Sequence, residues 1–441
     1  MFYILQETYQ HLLLLAGLIA FGLLCWRRLD FGLAIILFLA PLYLLKIGNL
    51  PLTALELLIF VLAAIWLIKK SKPRTVPLGG AGAVVKTGIA ESALRDLSIG
   101  GWWLPVGLIL AGVLISVLTS GDIKTGAGIF KAWFLEPIIF GLIAIDVIKT
   151  NRQFKSLLLS LVFSGTAVAL VALGYLAAGQ LTFDGRLKAF YLSPNHLAMF
   201  LAPALILAIA FWFETKKQSL RILLFIVCCL LFIVLYSTFS YAAWLAVLAA
   251  TIFLLIGFYR SAIIGRRGLV IVLCLLVIVL GLVIFFQMNN EKLANLLQSD
   301  RSSLESRLMV WRSAGKILAD NWLFGIGPGM FQQYYLEYQK YFLVPYLEWA
   351  VPQPHNLFLA WWLQAGITGL AGFVLLLIKF FRKTLKFLFK TKQPLFLILA
   401  AAMVYILAHG LLDTTYWKND LALVFWAVIA LGYIVDKNKS C

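Results

Sequence analysis

Long apolar runs recur along the chain, separated by short polar stretches. A helix needs about 20 mostly apolar residues to cross a bilayer. Thirteen runs read as spans on that basis: 10–26, 31–46, 51–68, 102–118, 128–148, 155–177, 194–213, 219–236, 240–258, 268–286, 355–378, 395–412 and 419–435. The second is short. The expected fold is an all-α polytopic membrane protein with about 12–13 transmembrane helices, because backbone polar groups in lipid must be satisfied within each span. The first run has no basic stretch before it and no small-residue cleavage site after it, so it reads as a retained helix.

The pattern divides the chain into a block of helices over 1–286, a large loop over 287–354, and three helices over 355–441. Residues 69–101 are rich in Gly and Pro and read as a flexible linker. The loop 287–354 has periodicity of its own, and long structured loops usually carry function. In it, "RSSLESRLMVWRSAGKILAD" predicts an amphipathic helix lying on the membrane surface. Ser302 and Glu305 form a candidate capping box, and Leu304, Leu308, Trp311, Gly315 and Leu318 share one face. Arg307 and Arg312 flank that face. They could meet lipid phosphates in general or hold one phosphorylated lipid, since a guanidinium fork fits phosphate oxygens. The aromatics from Phe331 to Trp349 read mainly as an interfacial belt, with some able to stack on sugar rings.

Composition supports the membrane reading: 63% of the residues are hydrophobic and 13% are charged. The net charge of +18 could suggest nucleic acid, but its placement gives another answer. Seven alternate loops hold 25 of the 37 Lys and Arg residues. The positive-inside rule then puts the N-terminus outside, the C-terminus inside and the loop 287–354 outside. Membrane lipids, and not nucleic acid, are the partners this charge implies. Five cysteines show no pairing or ligand spacing.

The candidate chemistry gathers on the predicted outer side. In "VPQPHNLFLAWWLQAGITGLAGF", Pro354 predicts a helix start with His355 in its first turn. Gly366 and Gly369 would follow near the same face, leaving room for a neighbouring helix or a ligand chain. A histidine there suits proton transfer at neutral pH. Arg186 and Lys188 precede the seventh span, Asn195 and His196 begin it, and Asp413 ends the twelfth. Glu56, Lys131 and Glu136 lie within spans; for the two glutamates, pairing that holds the bundle is the expected role. The chain has no Asp-x-Asp pair, no metal-spaced His/Cys cluster and no nucleotide fingerprint. Neither metal nor cofactor is expected. An external donor would have to arrive already activated, for example as a lipid diphosphate.

These residues resemble the O-antigen ligase/polymerase superfamily over roughly 180–435. "HNLFLAWWLQAGITG" is similar to that family's His-Asn-x9-Gly-x-x-Gly motif, with His355, Asn356, Gly366 and Gly369 in register. "RLMVWRSAGKILADNWLFGIGPGMFQQYY" resembles its external-loop signature, and "YLSPNHLAMFLA" its Pro-Asn helix start. The resemblance implies a metal-independent, GT-C-like glycosyltransferase in the cytoplasmic (inner) membrane with its active site facing the periplasm or exterior. It would take glycan from a polyprenyl (undecaprenyl) diphosphate donor to a lipid-linked acceptor, as in lipopolysaccharide biosynthesis. Polymerisation of glycan and O-linked protein glycosylation are alternatives within the superfamily, and a transporter is the alternative outside it. His355 would be the general base. Arg307 and Arg312, with Arg186 and Lys188, would hold the donor diphosphate. Asn356, Gly366, Gly369, Asn195, Tyr241 and Asp413 would support them. One position departs: in "STFSYAAWLA", Tyr241 stands where the family's Arg-x-x-x-Leu motif places arginine.

Overall fold

The computed structural model describes residues 2–45, 47, 52–71, 102–287, 303–342, 348–391 and 394–434. Most of the expected linker 69–101, and with it any test of that reading, lies outside the described residues.

Among the described residues the chain is helical, and a helix stands at each of the thirteen expected spans. In chain order these are α1 (Phe2–Arg27), α2 (Leu29–Phe38, with a 3-10 turn after it), α3 (Ala54–Ser71), α4 (Trp103–Leu118), α5 (Ile123–Val147), α6 (Asn151–Ala177), α7 (Pro194–Glu214), α8 (Gln218–Ser237), α9 (Tyr241–Arg260) and α10 (Arg266–Gln287). The loop then contributes α11 (Ser303–Asn321) and α12 (Phe331–Tyr338), and α13 (Leu357–Thr391), α14 (Pro394–Gly410) and α15 (Asn419–Ile434) follow. Seven helices are long and apolar enough to cross a membrane, and five more are apolar but shorter. The chain is an integral, multi-pass membrane protein.

Two helices lie at the centre of the bundle. α7 and α15 are buried on nearly every face, as expected of spans enclosed by other spans. Above them an aromatic cluster packs: Trp361 stacks on Phe373 with ring centroids 4.4 Å apart, and Phe134, Tyr416 and Trp417 close around it at 4.9–5.6 Å. This cluster ties the start of α13 to the α14–α15 turn. Such buried rings exclude water and hold both segments rigidly.

α13 docks on α4 through glycine. A methyl group at Gly112 would run into the Gly369 backbone nitrogen, and one at Gly372 would stand 2.8 Å from Ile109 N and the Pro105 carbonyl oxygen. Gly369 therefore serves helix–helix packing, which resolves the choice left open between a neighbouring helix and a ligand groove. Gly112→Ala is expected to destabilise the protein by about 1–3 kcal/mol, the range of overpacking in a tight core. Thermal unfolding in detergent would read this as a lowered midpoint.

One sequence expectation is corrected here. α11 buries Ser306, Val310, Ser313, Ala314, Ile317 and Leu318, whereas Leu308 and Gly315 are exposed and Trp311 is only partly covered. The packed face is rotated from the predicted one because small residues, not large ones, allow close approach to the protein. α11 thus seats on Leu363 of α13 and Val351 within a satellite core. Ser302, half of the predicted capping box, lies outside the described residues, as does Tyr346 of the aromatic run.

Candidate active site

His355 is not in a helix. It precedes α13 in the left-handed backbone region, with φ +47°. That conformation is uncommon for a residue with a side chain and costs energy unless its surroundings impose it. Pro354 ends the preceding turn, and Asn356 takes the capping role that sequence reasoning gave to neither. Its Oδ1 accepts from the backbone N–H groups of Phe358 and Leu359, both at 3.0 Å, and its Nδ2 donates to the Leu411 carbonyl at 3.0 Å. The cap satisfies two orphan donors of α13 and pins it to the end of α14. The Trp311 indole of α11 donates to the His355 carbonyl oxygen at 3.3 Å.

This strained backbone aims the imidazole at Asp413. His355 Nδ1 lies 3.2 Å from Asp413 Oδ1, with the carboxylate buried and the histidine side chain 27% exposed. Asp413 Oδ1 also accepts from the Thr414 N–H at 2.8 Å. Asp413 Oδ2 accepts from Asn195 Nδ2 at 2.9 Å, Asn195 Oδ1 accepts from Arg186 at 2.6 Å, and Arg186 Nε donates to the Thr238 carbonyl at 2.8 Å. One hydrogen-bonded chain thus runs His355–Asp413–Asn195–Arg186–Thr238. Its members come from four regions of sequence.

The electrostatics follow from burial and charge. Burial works to raise the Asp413 pKa, but the adjacent His355, with Arg307 and His409 adding, holds it well below the usual carboxylate range. Asp413 is therefore ionised at neutral pH. Burial lowers the Arg186 pKa, with Arg307 adding; Asp184, Asp413 and Tyr241 counter it. The guanidinium keeps its charge. Lys418, beside α15, is lowered by burial against the pull of Asp420 and Asp413.

The expected site residues sort into three groups. His355, Asp413, Asn195 and Arg186 are bonded together, and Arg307 acts electrostatically on Asp413 and Arg186. Tyr241 begins α9 next to them; its hydroxyl donates to Gln287 Oε1 at 3.0 Å, and Gln287 donates to Tyr236 at 2.8 Å. Among the described residues, Arg312 and Lys188 are not part of this chain; Arg312 points to the exposed side of α11.

Gly366 does something the helical reading did not foresee. Its φ of +64° and ψ of −179° break α13. The expectation that it shares a helix face with His355 fails, because the intervening turns are not continuous helix. The turn at 323–326 fills the break: Ile326 N–H donates to the Leu363 carbonyl at 2.6 Å and Ile367 N–H to the Leu323 carbonyl at 3.2 Å. Gly325, with φ +72°, allows this close approach. The glycine cluster of the loop is thus a plug for a broken span.

A second buried pair went unread. His196 Nε2 lies 3.2 Å from Asp420 Oδ1, with Tyr43 at 3.4–3.5 Å from the imidazole and the Tyr191 ring against it. His196 was visible after Asn195, but Asp420, one residue into α15, carried no signal of its own. Glu56 pairs with Lys131 at 3.3 Å, as expected of a bundle contact. Among the described residues, no cluster of three or more His, Cys, Asp or Glu side chains could hold a metal.

Comparison with known proteins finds two resemblances. Residues 225–374 match the family described as O-antigen ligase. The chain is also 26% identical over 291 residues to a protein named O-antigen ligase from Salmonella typhimurium (strain LT2), covering 63% of this chain and 69% of that relative. The matched region contains both Arg307 and His355, so the polytopic helical chain is similar to O-antigen ligases over the segment that holds the candidate site.

Proposed function

We propose that this protein is a metal-independent glycosyltransferase that moves a glycan from a polyprenyl (undecaprenyl) diphosphate to a lipid-linked acceptor at the outer face of the cytoplasmic membrane. The region carrying the chemistry is 180–435, served by the loop 287–354. The observation that supports it most is the His355–Asp413 pair. An ionised carboxylate on Nδ1 holds the neutral imidazole with its proton on that nitrogen, so Nε2 presents a lone pair. That is the arrangement a general base needs.

In the step we infer, the acceptor hydroxyl oxygen attacks the anomeric carbon of the donor glycan. Its proton passes to His355 Nε2, and the bond from the anomeric carbon to the diphosphate oxygen breaks. Asp413 stabilises the imidazolium that forms. The leaving polyprenyl diphosphate gathers negative charge, which Arg307 and Arg186 offset. Fixed guanidinium groups near developing charge supply what a metal supplies elsewhere. An apolar cavity of about 330 Å³ between α8, α9 and α10 suits an isoprenoid chain, with Tyr241 and Gln287 at its polar end.

The decisive experiment incubates purified protein with undecaprenyl diphosphate glycan and three acceptors: a lipid core, a second glycan chain and a protein. Transfer to the lipid core with activity retained in excess chelator is expected. Transfer only to glycan or protein would make it a polymerase or a protein glycosylating enzyme, and strict dependence on divalent metal would sink the mechanism. Asp413→Asn is expected to lower kcat by on the order of 10²–10⁴, because an amide no longer dictates the imidazole tautomer or stabilises its charge. A single-turnover assay measures this apart from donor binding.

A further inference from the structure

Arg186 and Asp413 carry opposite charges, are both covered by protein, and are not paired with each other. The Asn195 side chain stands between them, turned so that its carbonyl oxygen meets the guanidinium at 2.6 Å and its amide nitrogen meets the carboxylate at 2.9 Å. The two neighbours fix that orientation, because a guanidinium only donates and a carboxylate only accepts. The position is also fixed by the backbone. Ser193 caps α7 by accepting from the His196 N–H at 3.2 Å, Pro194 occupies the first turn, and Asn195 follows it. Among the described residues, Asp184 is the carboxylate within ion-pair distance of Arg186, at 3.8 Å and partly exposed.

We propose that Asn195 is a positioning residue: it keeps Arg186 and Asp413 apart so that the guanidinium stays available to the diphosphate and the carboxylate stays committed to His355. This rests on the roles given to Arg186 and His355 above. A direct arginine–carboxylate fork would be the stronger bond, and it would neutralise both groups. The amide passes hydrogen bonding between them without compensating either charge. Two charges that would otherwise cancel are thereby assigned to two substrates, the cation to the donor and the anion, through His355, to the acceptor.

Asn195→Asp puts a carboxylate directly on Arg186, and Asn195→Ala lets Arg186 close on Asp413. Binding is measured for undecaprenyl diphosphate without glycan, in detergent micelles, alongside the donor and acceptor KM in the transfer assay. Both variants are expected to weaken diphosphate binding about tenfold or more, raising donor KM and leaving acceptor KM unchanged. Adding Tyr241→Arg to Asn195→Asp places a guanidinium beside Arg186 at the head of α9, free of residue 195, and is expected to recover most of the lost affinity. A merely structural Asn195 would not respond to that second change. Wild-type affinity in either single variant at normal protein level would overturn the proposal, as would loss of folded protein in both or no recovery in the double variant. If the wild type binds the diphosphate but transfers nothing, the enzyme reading fails and the part of this inference that concerns Arg186 and the diphosphate stands; if the wild type does not bind it, both fail.

Discussion

His355→Ala is expected to reduce glycan transfer by about 10²–10⁴-fold, the usual contribution of a positioned general base. Donor affinity should change little, because the guanidinium groups and not the imidazole would hold the diphosphate. Alanine alone is an ambiguous probe, since the left-handed backbone at this position strains any side chain with a Cβ. Asparagine tolerates that conformation better than most residues, so His355→Asn should retain the fold and still lose the reaction. Protein level and melting temperature of both variants, set against single-turnover rates, separate chemistry from folding. Wild-type rates in a well-folded His355→Asn would remove the histidine from the mechanism.

The largest effect on stability is expected at Gly366. Its φ and ψ fall in a region that only glycine occupies without strain, and an alanine there costs about 1–3 kcal/mol in backbone energy alone. The added methyl would also stand 2.5 Å from the Leu323 carbonyl oxygen. To relieve that contact, the 323–326 turn must retreat and give up its bonds to Leu363 and Ile367, leaving backbone groups unsatisfied inside a span. Gly366→Ala should therefore lower the melting temperature in detergent by many degrees and reduce the amount of protein recovered from membranes. Gly325→Ala should do the same, since its methyl would collide with the Leu363 carbonyl from the other side of the plug. A variant at either site that melts like the wild type would show the break to be soft.

Much of this architecture was legible in the chain. Apolar run length is a strong signal, and α1 to α10 and α13 to α15 stand where the runs predicted them. His355 could be singled out by its place at the mouth of a span. Its geometry could not, because Pro354 reads as a helix start whereas Asn356 is the cap. The face of α11 was misread for a related reason: apolar periodicity weighs large side chains, while Ser306, Ser313 and Ala314 set the actual contact by being small. Arg186, Asn195 and Asp413 were each noticed, but no local pattern could say that residues 218 positions apart in sequence share a hydrogen bond. Asp420 was invisible for the same reason.

The hydrogen-bonded chain from Arg186 to His355 also has an order of assembly. Arg186 is made first, His355 follows after four spans and the long loop with its two helices, and Asp413 comes only past the far end of α14. Insertion of the early spans leaves a cation with its amide partner and nothing to act on. The His355–Asp413 pair closes only after α14 has been threaded and its turn has folded back onto the mouth of α13. A chain halted anywhere before Asp413 would thus present Arg186 and His355 without the carboxylate that links them.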